Sequence, residues 1–165
     1  MDYAMIGKIE KAKLYAAEPQ RVTFHHFTVE FQGDNSTYTI TYSPEGWDCT
    51  CPGFHAHGIC PHIMTLERIF PKLLKRAPLP YAPGQNVVSD VEKAMRYAEE
   101  TDRIRFKAFD CTFQGDNGEH HTSYSEEHGW SCNCDFYKSR HVCCHTMALE
   151  RILAGMIHVP ETAHA

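Results

Sequence analysis

The chain has 165 residues, with 16 Lys+Arg against 21 Asp+Glu and a formal charge of −5, so it lacks the overall basic footprint that drives non-specific binding to phosphate backbones. No apolar run approaches the roughly 20 residues that span a bilayer, and Met1-Asp2-Tyr3 leads into a charged helical pattern instead of a signal peptide. These features point away from a membrane and toward a reducing, cytoplasmic setting, in which the eight cysteines stay available as thiolates.

In chain order, Ile6, Ile9, Ala12 and Ala16 recur at helical spacing and predict an opening helix. Phe27, Val29 and Phe31 alternate as on a strand, Gly33-Asp34-Asn35-Ser36 is a hairpin turn signal, and Tyr38, Ile40 and Tyr42 mark the returning strand. A turn at Ser43-Pro44-Glu45-Gly46 leads to a third strand, Trp47-Asp48-Cys49-Thr50-Cys51. Eight residues later comes Cys60-Pro61-His62, and from there Ile63, Leu66, Ile69 and Leu73 repeat with helical period. Pro71 falls inside that pattern, where a helix must end or kink. Pro78, Pro80, Pro83 and Gly84 then make a short, stiff linker.

The second half repeats the first. Glu10-Lys11-Ala12 and Phe31-Gln32-Gly33-Asp34-Asn35 recur 82 positions later, at Glu92-Lys93-Ala94 and Phe113-Gln114-Gly115-Asp116-Asn117. From Trp130 onward the offset is 83, as from Trp47 to Trp130, so one residue is inserted in the turn Ser125 to Gly129. Phe109, Cys111 and Phe113 repeat the strand, and Asp116-Asn117-Gly118 the turn. Ser89-Asp90-Val91-Glu92 reads as a capping box that starts the second opening helix. A period this long suits duplication of a small domain. The expected organisation is residues 1–77 as the first repeat, 78–87 as the linker and 88–165 as the second repeat. The fold class is α+β: two tandem small domains, each a helix, a three-stranded antiparallel meander carrying CxC, and a helix starting at CxH.

The duplicated Cys-x-Cys and Cys-x-His are metal-ligand spacings. Residues i and i+2 of a strand point to one side, so Cys49 and Cys51 present both sulfurs to one ion, with Trp47 on the same face as an apolar shield. The loop returns the chain, and Cys60 and His62 supply the remaining corners. Cys132, Cys134, Cys143 and His145 repeat the set. Three thiolates and an imidazole in a tetrahedron favour zinc and make a closed structural site, so two structural Zn2+ ions per chain are expected; iron–sulfur is the remaining metal alternative. Domains of this size bury a modest core, and structural zinc adds an apparent ~10–16 kcal/mol. Chelation should therefore unfold each half, and Cys49→Ser should damage the first copy more than the second.

CxC, a short loop and CxH, preceded by tryptophan and followed by a helix, resemble the SWIM-type zinc finger over roughly residues 47–70 and 130–153. The resemblance implies a zinc-binding module for interaction with DNA or protein and leaves its partner unnamed.

Six of the eight cysteines are thereby used. Cys111 aligns with Val29 and reads as a core residue; Cys144 replaces Pro61 and reads as a thiol beside the site that does not ligate. His55 and His57, whose counterparts in the second repeat are Lys138 and Arg140, read as exposed loop residues, and His120-His121 as solvent-facing. Phe54 and Tyr137, equivalent in the two metal loops, suit either a contact surface or a cover for the metal. No catalytic order, phosphate loop or open metal position is recognisable, so no enzyme activity and no small-molecule substrate are expected. The favoured function is a protein-interaction or assembly module that binds a protein partner or itself. The alternative is a DNA- or RNA-binding module that uses a basic face around Arg103, Arg105 and Lys107, near Lys138 and Arg140; Lys72, Lys75 and Arg76 form a second basic cluster.

Overall fold

A computed structural model describes residues 3–157. The chain runs α1 (Tyr3–Ala16), β1 (Val22–Gln32), β2 (Thr37–Ser43), β3 (Gly46–Cys49), α2 (Pro52–His57), α3 (Pro61–Ile69) and α4 (Pro71–Leu74). The second repeat follows as α5 (Val87–Glu99), β4 (Ile104–Gly115), β5 (Gly118–Ser125), β6 (Gly129–Cys132), α6 (Asp135–Arg140) and α7 (Cys144–Ile152). It is a mixed architecture of helices and antiparallel sheet built from two repeats.

The two meanders join. All six strands form one antiparallel sheet in the order β3-β2-β1-β4-β5-β6. At its centre Phe27 pairs with its own counterpart Phe109, Val22 pairs with Phe113, and Phe31 pairs with Ile104, which is the register of a pseudo-twofold. One row of aromatic side chains crosses the whole sheet: Trp47, Tyr42, Phe27, Phe109, Tyr124 and Trp130. Trp47 therefore packs on Tyr42 and Phe27, with ring centroids at 4.8 and 5.6 Å.

Alternation along β1 breaks once. Val22, Phe24, Phe27, Val29 and Phe31 are buried, and the register slips between Phe24 and His26 and again between Thr28 and Val29. The extra residues are His25 on β1 and Lys107 on β4, at equivalent positions. Such a bulge turns two consecutive side chains to one face, so His25 and His26 both point outward.

Several local details differ from the sequence expectation. The α5 cap is Asn86, whose side chain accepts from Ser89 N at 3.2 Å, so the helix begins two residues before Ser89 and the capping box does not form. Each metal loop contains a short helix, closed by a left-handed residue: Gly58 (φ 75°) in one copy and His141 (φ 60°) in the other. The inserted residue lies where expected, since Ser43 pairs with Gly46 across two residues and Ser125 pairs with Gly129 across three. Pro71 does end α3, and α4 starts on it.

The largest difference concerns partners. The helix that opens each repeat packs against the last long helix of the other one: α1 lies on α7, and α5 lies on α3. The two repeats have exchanged their opening helices across the shared sheet. The segment between α4 and α5 makes this crossing, and Leu79 N donates to Glu67 Oε2 of α3 at 2.7 Å on the way.

Candidate metal centres

Each set of four predicted side chains is brought together. The donor atoms of Cys49, Cys51, Cys60 and His62 all lie within 4.8 Å of one another, as do those of Cys132, Cys134, Cys143 and His145, and all eight residues are buried. None of the eight cysteines is in a disulfide.

The strand end supplies the first two sulfurs. Cys49 closes β3 opposite Ile40, and Cys51 lies two residues on as the N-cap of α2. Cys60 is the N-cap of α3, and Pro61 occupies its first turn, where a missing N–H costs nothing. Backbone N–H groups point at these sulfurs: Phe54 N donates to Cys51 Sγ at 3.4 Å and Ile63 N to Cys60 Sγ at 3.5 Å. In the second centre, Thr146 N donates to Cys143 Sγ and Thr122 Oγ1 to Cys132 Sγ, both at 3.4 Å. Helix N-termini and such donors favour the thiolate form.

The histidines face the sulfurs with Nδ1. His62 Nδ1 is 3.9 Å from Cys49 Sγ, and His145 Nδ1 is 3.7 Å from both Cys132 Sγ and Cys143 Sγ. Zinc ligated at about 2.3 Å by sulfur and about 2.0–2.1 Å by nitrogen sets S···N at roughly 3.6 Å in a tetrahedron, which these separations match.

Electrostatics also call for a cation. Hydrogen bonds from Cys49 and Cys60 hold the Cys51 thiol far below its ordinary value, while the contact with Cys51 pushes Cys49 up to about 11 and contacts with Cys49 and Cys51 push Cys60 higher still. The partnership with Cys143 lowers Cys132 to about 3 and raises Cys143. Sulfurs this close share protons until a divalent ion replaces them.

The histidines are covered across the repeat boundary. His62 lies 5.0 Å from Phe31 and 4.8 Å from Tyr38 of its own repeat, and stacks at 5.9 Å on Tyr97 of α5. His145 lies 4.9 Å from Phe113 and 4.7 Å from His120, and stacks at 6.1 Å on Tyr15 of α1. The ligand histidines are thus covered by these rings, and Trp47 packs on the sheet's aromatic row. The tyrosine hydroxyls fix the turns beside each histidine: Asp34 N donates to Tyr97 Oη at 3.2 Å and Asp116 N to Tyr15 Oη at 2.8 Å. Glycine is needed there for room. A Cβ at Gly33 would meet Ser36 O and the Tyr38 ring at 3.1 Å and His62 Nε2 at 3.4 Å, and one at Gly115 would meet His145 Nε2 at 3.3 Å.

An arginine clamps each exchanged helix. Arg21 donates to Gln114 O at 2.9 Å, pairs with Glu18 and Asp116, and lies 4.5 Å over the Tyr15 ring. Arg103 repeats every contact, donating to Gln32 O at 2.8 Å, pairing with Glu100 and Asp34, and lying 4.7 Å over Tyr97. The sequence reading missed this role, although Arg21 and Arg103 stand 82 positions apart like the rest of the repeat. Arg103 lies in a short turn before β4, so it does not alternate with Arg105 and Lys107 on the strand. Arg105 pairs with Glu126 at 2.5 Å, and Lys107 with Glu126 at 2.9 Å and Glu30 at 3.5 Å.

Of the remaining residues, Cys111 is fully buried, and desolvation raises its thiol pKa. Cys144 is buried beside the second centre without joining the ligand set. His121 is exposed, but His120 is half-buried against His145 and does not face solvent, because it holds the position of Tyr38. Phe54 and Tyr137 are half-buried against the cores beside the centres, and Tyr137 Oη donates to Trp130 O at 2.6 Å. His55 is exposed and His57 half-buried on α2.

The SWIM zinc finger family model matches residues 28–68 and again 120–153. The chain thus carries two SWIM zinc fingers, and the two clusters are their structural zinc sites. No curated protein and no solved structure matches the chain. Among the described residues, no helix is long and apolar enough to cross a membrane.

Proposed function

We propose that the chain is a non-enzymatic, zinc-stabilised adaptor of the cytoplasm that docks a protein partner or a second copy of itself. One observation carries this function: the exchanged helices turn large apolar side chains to solvent, while the basic residues of the β4 region are engaged by carboxylates. Tyr3 and Leu14 of α1 are 79% and 66% exposed, and Val88 and Met95 of α5 are 70% and 47% exposed. Scattered apolar residues are normal on a surface, but Ile6 and Val88 hold equivalent positions on the two helices, are 41% and 70% exposed, and offer a repeated contact. Four protein ligands per ion leave the zinc no open position for chemistry.

The second function, binding of DNA or RNA, draws on Arg105 and Lys107 on the outer strand face, with Lys138 and Arg140 exposed on α6. Pull-down from native cells at physiological salt, with and without nuclease, separates the two. The adaptor retains its protein partner after nuclease treatment. Capture that disappears with nuclease, together with nucleic-acid binding that weakens steeply with salt and on Arg105→Ala, would overturn it.

A further inference from the structure

The outer face of the sheet bears a cluster of imidazoles that neither zinc centre uses. The bulge at His25 turns His25 and His26 outward together, and β5 brings His121 alongside. Asp110 of β4 stands between them: His26 Nδ1 lies 3.2 Å from Asp110 Oδ2, and His121 Nε2 lies 3.9 Å from Asp110 Oδ1. His25 stacks nearly parallel on His121, with centroids at 6.2 Å and an interplanar angle of 2°, and its Nε2 is 2.6 Å from Thr112 Oγ1. His26 and Asp110 also line a groove of about 520 Å3 along the outer face, whose lining includes Thr28, Thr41, Ser123 and His128.

The pseudo-twofold shows that this is not a requirement of the sheet. At the equivalent place on the other side, Lys107 and Ala108 replace His25 and His26, Thr28 replaces Asp110, and Thr39 replaces His121. That end is closed by the ion pairs of Lys107 with Glu30 and Glu126. One end of the face is therefore cross-linked by charge, and the other gathers imidazole nitrogens around a carboxylate.

We propose that His26, Asp110 and His121, with His25 beside them, form a third metal site that takes a divalent first-row transition ion. Imidazole and carboxylate are its donors, in contrast to the thiolates of the two cages, and this set suits zinc, nickel or copper. Ligands about 2.0–2.1 Å from zinc lie roughly 3.3 Å apart in a tetrahedron. The His26–Asp110 separation already meets that, and the His121 ring has to turn inward. It is free to do so, since the His121 side chain is 57% exposed. Exposed donors bind reversibly, and an ion here keeps positions open toward the groove.

The test is a calorimetric titration of Zn2+ into the full chain already holding two ions, with the imidazole resonances followed by NMR. A third equivalent should bind in the micromolar range and shift His26 and His121. His26→Gln and His121→Gln should each weaken it by roughly tenfold or more, while both variants keep their two cage ions and His55→Gln, on an exposed histidine of α2 outside the groove, changes nothing. No third ion taken up below millimolar zinc would overturn the proposal. So would a third ion that ignores His26→Gln and His121→Gln, or one that His55→Gln weakens equally.

Discussion

The two zinc fingers share their ligands, their covering phenylalanine and tyrosine and their arginine clamp, yet differ at the edge of the cage. Around the first, Tyr38 lies on His62 and Pro61 sits between the ligands; around the second, His120 lies on His145 and Cys144 replaces the proline. A cavity of about 260 Å3 opens beside the second, reaching Cys134, Cys144 and His120. What stayed constant through the duplication is what the other repeat touches: Tyr97 and Tyr15, Arg103 and Arg21, Gly33 and Gly115. Around the second centre the variable positions face the exchanged helix as well: Lys8 lies over Phe136, and Lys8 and Lys11 line the cavity that reaches Cys144. The pair behaves as two halves of one scaffold, each holding the other's cover.

The largest expected effect is metal removal. Chelation withdraws an apparent ~10–16 kcal/mol per structural zinc, and because the helices are exchanged it should abolish the cooperative melt of the whole chain. Calorimetry with and without chelator reads this, and an apoprotein that keeps a sharp transition would break the comparison at its root. Next comes the cover. Tyr97→Ala and Tyr15→Ala each remove a buried ring stacked on a ligand histidine and should cost about 3–5 kcal/mol. The telling detail is location: Tyr97→Ala, in the second repeat, should speed zinc loss from the first centre, measured by chromophoric chelator kinetics.

A smaller contrast lies in the aromatic row. Tyr42 Oη donates to Leu74 O at 3.0 Å, whereas the equivalent Tyr124 Oη is buried with no partner among the described residues. Tyr42→Phe should cost about 1 kcal/mol and Tyr124→Phe nothing or a slight gain, by chemical denaturation. The smallest effect is at Glu67. Burial raises its pKa, partly offset by the Leu79 N–H. A raised carboxyl pKa means that the folded state disfavours the charge, so the penalty is present at neutral pH and vanishes below the ordinary value of 4.5. Glu67→Gln should therefore be neutral to slightly stabilising near neutral pH and indistinguishable from wild type in acid, in paired denaturation curves.

The sequence made the cages legible because the i, i+2 geometry of a strand and the helix after CxH are local facts. Cys111 in the core and the insertion between Ser125 and Gly129 were legible for the same reason. The exchange of helices was not. Ile6, Ile9 and Ala12 announced a helix but misplaced its buried face: Ile6 and Ile9 are exposed, and α1 buries Ala12 and Tyr15, because periodicity does not say which helix meets it. Nor does alternation reveal a bulge, so the strand was recognisable from Phe27 onward and its first half, with His25 and His26 turned to one side, was hidden. Arg103 looked like part of a charged face because its partners, Gln32 and Asp34, are distant in sequence and belong to the other repeat. His120 looked solvent-facing for want of the same long-range information. Aligning it with Tyr38 would have placed it on the zinc-binding histidine.

Coupling between the repeats is tested most directly by destroying one cage and watching the other. In Cys132→Ser, with hydrogen exchange followed residue by residue, loss of the second zinc frees α1 and α7, unseats the β1–β4 seam and lowers protection in β1, β2 and α3 of the first repeat. First-repeat amides that keep wild-type protection while the second repeat exchanges freely would contradict it and make the two fingers independent.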